Sequence, residues 1–122
     1  KRKGSKIINI SSIASLYGFP NNPGYNSSKA ALNSLTKSIS NDYGKYGINC
    51  NSLSIGYVKT KMTIKSYNNF KEMNLRKNKT ILKRWGTTRD IFGPVLFLSS
   101  DLSNYITGQN IIVDGGWTVK GL

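Results

Sequence analysis

The sequence predicts an α/β protein with a parallel sheet. Three observations carry that expectation: short β-branched runs that end in small polar residues or glycines, a helix-length amphipathic stretch between the first two, and an alternating order of strands and helices. The first run, residues 6–11, lies between Gly4 and Ser12 and has the form of a strand covered on both faces. Pro20, Pro23 and Gly24 then mark a loop. Residues 25–46 read as a helix with Leu32, Leu35, Ile39 and Tyr43 on one stripe, closed by Gly44 and Gly47. Residues 48–54 form a second strand candidate, weakened by its asparagines. Residues 56–88 are a long polar, basic connection with at most a short helix around 69–77, and connections of that length tend to be lids or binding segments. Asp90 is placed to cap a helix running through Ile91, Val95, Leu96 and Leu98 to Ser100, with Gly93-Pro94 expected in its first turn. Residues 110–113 form the third strand, ended by Asp114-Gly115-Gly116. Right-handed crossovers join such elements into a parallel sheet. No internal repeat or linker divides the chain, so residues 1–122 are expected to form one domain. No Gly-x-Gly-x-x-Gly or comparable turn follows any strand, and the first strand begins almost at once, so half of a doubly wound sheet is the expected extent.

Composition narrows the function. At 122 residues and 38% hydrophobic, the chain has the size and apolar content of one domain. No apolar run approaches the roughly 18 residues of a membrane span, and residues 1–4 lack the apolar stretch of a signal peptide, so a cytoplasmic protein without a membrane partner is expected. The single cysteine, Cys50, has no intrachain partner for a disulfide or a cysteine-rich metal site, and is expected to be a core thiol. Without histidine, proton chemistry falls to a tuned tyrosine, lysine, cysteine or carboxylate. The net charge of +13 is spread along the chain, with no basic helical stripe interleaved with aromatics, so no nucleic-acid partner is expected. Charge is densest between Lys59 and Arg84, where Glu72 is the one acid, and an anionic substrate is one reading of that stretch.

Three Tyr-x-x-x-Lys spacings occur, at Tyr25/Lys29, Tyr57/Lys61 and Tyr67/Lys71. With 7 tyrosines and frequent lysine, roughly one is expected by chance. A serine 13 residues upstream does not separate them, because Ser12 precedes Tyr25 and Ser54 precedes Tyr67 by the same interval. Context does. Tyr25 and Lys29 share one face of a helix rich in small residues, and Ser12 lies just past a strand's carboxyl end, where open α/β sheets take ligands. Tyr67 is expected on ordinary polar loop surface.

Ser12, then Tyr25-x-x-x-Lys29 on a helix, resembles the catalytic segment of the short-chain dehydrogenase/reductase family. Asn51-Ser-Leu-Ser-Ile-Gly56-Tyr-Val58-Lys-Thr60 is similar to the family's Asn-x-x-x-Pro-Gly-x-Ile-x-Thr stretch, with Ile55 in place of proline. Arg84-Trp-Gly86 with Asp90-Ile91 resembles its Arg-x-Gly…Asp-Ile, and Tyr105-Ile-Thr-Gly108 with Val113-Asp-Gly-Gly116 its carboxyl-terminal strand signature. The resemblance implies the C-terminal half of a Rossmann-like doubly wound sheet lacking the N-terminal cofactor-binding half, and an oxidoreductase using NAD or NADP on a small-molecule or carrier-linked carbonyl substrate. It implies that Tyr25 is the acid/base, that Ser12 holds the substrate oxygen, and that Lys29 stabilises phenolate and binds the nicotinamide ribose. Tyr25, Gly56, the Val58 backbone and Thr60 are implied cofactor contacts along with Lys29, and a homo-oligomer is implied at full length. Sugar or polyol derivatives and 3-oxoacyl thioesters both fit as substrates. The isolated chain is expected to be inactive, and a non-catalytic remnant or interaction module is the alternative.

Overall fold

The computed structural model describes residues 4–120; the basic residues 1–3, part of the segment read for a leader, and residues 121–122 lie outside the described residues. Three parallel strands, β1 (Ser5–Ser12), β2 (Ile48–Ile55) and β3 (Asn110–Val113), form one sheet in the order β1-β2-β3. Ile10 pairs with Leu53 and Ser12 with Ile55, while Leu53 pairs with Ile111 on the other side. The helices are α1 (Pro23–Tyr43), α2 (Ile64–Asn68), α3 (Phe70–Lys79) and α4 (Thr88–Ser99), with single 3₁₀ turns at Ile13–Ser15, Gly44–Tyr46 and Asp101–Ser103. This is the expected α/β architecture, with strand limits within a residue of those expected.

The strand with the weakest sequence signal is the most buried. β2 is central, and Cys50, Asn51, Ser52, Leu53 and Ser54 are all sealed from solvent. Burial of polar side chains is tolerable only with partners, and each has one. Asn51 donates from Nδ2 to the Ile106 carbonyl (2.9 Å) and accepts the Gln109 amide at Oδ1 (3.0 Å). Ser52 and Ser54 both donate to Asn110 Oδ1, at 3.0 and 2.8 Å. Ser15 and Ser54 meet hydroxyl to hydroxyl at 3.2 Å, and Asn33 Nδ2 donates to Ser15 Oγ (2.8 Å). One polar network therefore ties α1, the 13–15 turn, β2 and β3 together beneath the carboxyl ends of the strands. Cys50 is the expected core thiol, and burial pushes its pKa up.

α1 takes in Pro23 and Gly24, expected in the preceding loop, because the fixed φ and missing N–H of Pro23 suit a first helical position, and it ends at Tyr43 rather than 46, the last three residues tightening into a 3₁₀ turn before Gly47 at φ 78°. The expected apolar stripe is only partly the buried one. Leu32 and Ile39 are half-buried, but Leu35 and Tyr43 are about half exposed, and the residue sealed against the sheet is Thr36. Its Oγ1 accepts from Asn9 Nδ2 (2.9 Å) and donates to the Leu32 carbonyl (2.9 Å), so a polar pair rather than a leucine seats α1 on β1.

The 56–88 connection is more ordered than expected. It folds into α2 and α3, whose sequences lack an apolar stripe and are organised by Trp85. The indole of Trp85 is buried, donates from Nε1 to the Met73 carbonyl (3.0 Å), and packs on Tyr57 and Tyr67 with ring centroids 5.5 and 5.3 Å away. Tyr67 is thus a half-buried member of an aromatic cluster, not loop surface. α4 also departs from expectation. Thr87 is its N-cap, and Asp90 reaches back from three residues into the turn to accept from the Thr87 amide (2.7 Å) and hydroxyl (2.9 Å). The early cap puts Pro94 inside the helix instead of in its first turn, at the loss of one backbone hydrogen bond. Arg84 holds the same carboxylate through two bonds of 2.9 and 2.7 Å, and these with the Thr87 donors keep the Asp90 carboxyl far below the usual range.

Candidate active site

Ser12 is the last residue of β1 and the N-cap of the 13–15 turn. Its Oγ accepts the Ala14 amide (3.1 Å) and its carbonyl accepts Ser15 Oγ (2.6 Å), which fixes the side chain while leaving the hydroxyl proton free to donate. Tyr25 lies in the first turn of α1 and Lys29 one turn on. The lysine is tethered at both ends: its backbone carbonyl accepts from buried Ser11 Oγ (3.2 Å), and its ammonium donates to the Ile10 carbonyl of β1 (2.9 Å). That puts Nζ 5.6 Å from the Tyr25 ring centroid. The Tyr25 hydroxyl makes no hydrogen bond among the described residues, and the residue is 39% exposed, enough for a ligand to reach it.

Ser12, Tyr25 and Gly56 line one open cavity of about 330 Å³. Phe19, Pro20 and Tyr57 give it an apolar wall, and Asn26, Thr63 and Arg76 contribute polar groups. Asn26 donates to the Phe19 carbonyl (2.8 Å), and its buried Oδ1 has no partner. Lys29 stands behind Tyr25, held against β1. The structure therefore gathers Ser12, Tyr25, Lys29 and Gly56 in one place.

Val58 and Thr60 are not in that cavity. They line an adjoining apolar recess with Ile91, Phe92 and Val95, and Ile55 borders both. Thr63 Oγ1 donates to the Val58 carbonyl (2.6 Å) and accepts the Thr60 amide (2.9 Å), so Thr63 shapes this loop. Gly56 has a packing reason to be glycine. A Cβ there would lie 2.7 Å from Asp114 Cβ and 2.8 Å from its Cα, because the end of β2 runs hard against the end of β3.

Sequence reasoning missed Arg76, Phe19 and Tyr57 as cavity residues. Arg76 had no local signal, since its position depends on α3 being pinned to Trp85. Tyr57 belonged to a Tyr-x-x-x-Lys match and was set aside with it. Its ring instead packs toward both Trp85 and Trp117, the latter at 6.2 Å.

A parallel sheet whose strand ends carry an open set of serine, tyrosine and lysine donors defines an α/β protein of the ligand-binding, open-sheet kind. Comparison with known proteins narrows this further. A family model described as enoyl-(acyl carrier protein) reductase matches residues 1–118, and the chain belongs to the short-chain dehydrogenase/reductase family. It is 37% identical over 124 residues to 2-dehydro-3-deoxy-D-gluconate 5-dehydrogenase of Dickeya dadantii, a match spanning 96% of this chain and 46% of that protein. Among solved structures, gluconate 5-dehydrogenase from Burkholderia cenocepacia in complex with NADP and tartrate superposes with TM-score 0.92 at 34% identity, over 95% of this chain and 46% of that one. A 4-hydroxyisoleucine dehydrogenase complexed with NADH gives TM-score 0.91 at 38% identity, over 93% and 47%. The chain thus spans about half the length of the relatives it matches. No helix among the described residues is long and apolar enough to cross a membrane.

Proposed function

We propose that this chain is the carboxyl-terminal, catalytic portion of an NAD- or NADP-dependent oxidoreductase that interconverts a secondary alcohol and a carbonyl in a small molecule of the sugar or sugar-acid class. The observation that carries the reading is the donor set around one cavity: a serine hydroxyl fixed by its turn with its proton free, a phenol with no hydrogen bond among the described residues, and a lysine locked beside it.

The residues fit the nicotinamide-ribose end of a pyridine nucleotide. The Lys29 ammonium has N–H donors left beyond its bond to Ile10, and such donors suit the ribose hydroxyls. Bound there, the nucleotide supplies or accepts the hydride. The chain's own residues handle the proton and the oxygen. Ser12 donates to the substrate oxygen and orients it. Tyr25 gives its proton to that oxygen as a carbonyl is reduced, and takes it back as an alcohol is oxidised. Lys29 holds its ammonium beside the ring from which that proton leaves. Phe19, Pro20 and Tyr57 exclude water from one side of the reacting group, which strengthens these electrostatic effects. Val58 and Thr60 would contact the cofactor from the adjoining recess, and Gly56 lets the ends of β2 and β3 close on each other.

The polar groups lining the cavity, Ser12, Asn22, Asn26 and Thr63 around Tyr25, support a small polyhydroxy substrate. Names among the relatives, gluconate and 2-dehydro-3-deoxygluconate dehydrogenases, support the same class. The test is a fusion in which the amino-terminal portion of the Dickeya relative precedes this chain, assayed with NAD and NADP against aldonates, polyols and 3-oxoacyl thioesters. Tyr25-dependent oxidation of an aldonate or polyol is expected. Turnover of the thioester alone, or no cofactor-linked turnover in the folded fusion, refutes the reading.

A further inference from the structure

The nine basic residues between Lys59 and Arg84 do not act as one surface. Lys79 borders a separate aromatic recess beside Trp117, and Lys59, Lys77 and Lys83 border another beside Trp85. One cation of the nine reaches the cavity that holds Ser12 and Tyr25, and among the described residues it is the only charged side chain lining it: Arg76.

Two contacts hold Arg76 there. Its guanidinium carbon sits 5.0 Å from the centroid of the Tyr57 ring, which is itself braced by Trp85 and Trp117. Its Nη1 donates to Glu72 Oε2 (2.8 Å) one turn back on α3. Trp85 fastens α3 in turn through the Met73 carbonyl. A surface ion pair at this spacing contributes little by itself, and it explains only one edge of the arginine. The Arg76 side chain is 28% exposed against 47% for Glu72, and its Nη2 and Nε make no hydrogen bond among the described residues. A planar fork held over an aromatic ring with free donors is suited to a carboxylate. Among the described residues no acidic side chain lines the cavity, and Glu72, outside it, is the one carboxylate that holds the guanidinium.

We propose that Arg76 is the specificity residue that binds the carboxylate of a small hydroxy acid while Tyr25 and Ser12 handle its reacting hydroxyl. The inference rests on the reading above and adds to it a definite charge on the substrate and a definite residue that reads it. Glu72 then has a second role. By holding one edge of the guanidinium it orients the fork, and it also competes with the ligand for positive charge.

The matched probes are D-gluconate and D-glucitol, which share a carbon chain and differ in carboxylate against hydroxymethyl. Each is titrated into the 122-residue chain, with Tyr57, Thr63 and Arg76 resonances followed by NMR. Gluconate is expected to perturb these positions saturably and glucitol to bind more weakly. Arg76→Gln should weaken gluconate by roughly ten- to a hundredfold, the range of a lost charge-assisted contact, and Arg76→Lys should fall between. Glu72→Gln should tighten gluconate several-fold and leave glucitol alone, a gain that misfolding cannot imitate. Absence of saturable gluconate binding, equal binding of both probes, or indifference to Arg76→Gln and Glu72→Gln would overturn the proposal. Its failure is distinct from failure of the redox reading. Arg76-dependent gluconate binding without turnover in the fusion refutes the redox chemistry alone, whereas Tyr25-dependent turnover with no preference between the probes refutes the role of Arg76 alone.

Discussion

Asn110 is the residue through which the polar floor of the site can be tested most severely. Its Oδ1 accepts from both Ser52 and Ser54, and those serines are 1% and 0% exposed. Asn110→Ala strands two buried hydroxyls at once. A buried donor left without its acceptor costs about 1–3 kcal/mol. Ser54 keeps the Ser15 hydroxyl at 3.2 Å and Ser52 a long contact of 3.5 Å to the Gln109 carbonyl, so each loss belongs in the lower half of that range. The expected destabilisation is about 2–4 kcal/mol, or roughly 8–16 °C in Tm for a domain of this size. Asn104→Ala supplies the contrast. Its Oδ1 accepts from Lys6 at 2.8 Å on the exposed surface, and its loss should cost under about 0.5 kcal/mol. Urea unfolding followed by circular dichroism measures both. If Asn110→Ala falls within about 0.5 kcal/mol of wild type, β2 is not held by this network and the account of its burial is wrong.

Gly56→Ala should destabilise the chain by about 1–3 kcal/mol, because the added methyl meets Asp114 backbone rather than a movable side-chain tip; a neutral melt together with weakened nucleotide affinity in the fusion would assign the glycine to the cofactor instead. Thr87→Ala should cost about 1 kcal/mol, as the loss of a helix cap, and an unchanged urea midpoint would argue against the cap. The Asp90 carboxyl is held low in the folded chain by Arg84 and Thr87, so its contribution is full above the ordinary carboxyl pKa of about 3.9 and is lost as pH falls from there toward the folded value. Asp90→Asn should therefore flatten the acid limb of the stability profile, and an acid limb as steep as wild type would refute this. Fluorescence titration of the 122-residue chain alone with NADPH should show no saturation in the low micromolar range, since its sequence holds no glycine-rich turn for a pyrophosphate. Tight binding would mean that the strand ends described here hold the nucleotide without one.

The elements legible in the sequence were those whose signal is local. β1 and β3 announce themselves through isoleucine and valine runs closed by serine or Asp-Gly-Gly, and α1 through its length and the glycines that follow it. The serine, tyrosine and lysine were legible too, because their spacing sits on a strand end and a helix turn whose geometry is regular. What stayed hidden depends on residues far apart in the chain. The buried face of α1 centres on Thr36 because Asn9 is there to meet it, and the burial of β2 depends on Asn110 and on carbonyls of the 104–109 loop. α2 and α3 have polar sequences with little helical periodicity and are ordered by Trp85, while the place of Arg76 in the cavity follows from that same tryptophan. Pro94 inside α4 was misplaced for a simpler reason: the capping acid acts from three residues into the turn, and taking it for the cap itself moved the helix start too late.

The most direct test of the central claim compares two tyrosines in the fusion protein. Tyr25→Phe removes a phenolic proton and leaves the ring, the Lys29 tether and the cavity wall in place, so turnover should fall by roughly 10²–10⁴-fold, the usual worth of a general acid/base, while NAD(P)H affinity stays within a few-fold of wild type. Tyr67→Phe keeps the packing on Trp85 and should leave both quantities unchanged. Undiminished turnover in Tyr25→Phe, or loss of turnover in Tyr67→Phe instead, would contradict the assignment of Tyr25 as the acid/base.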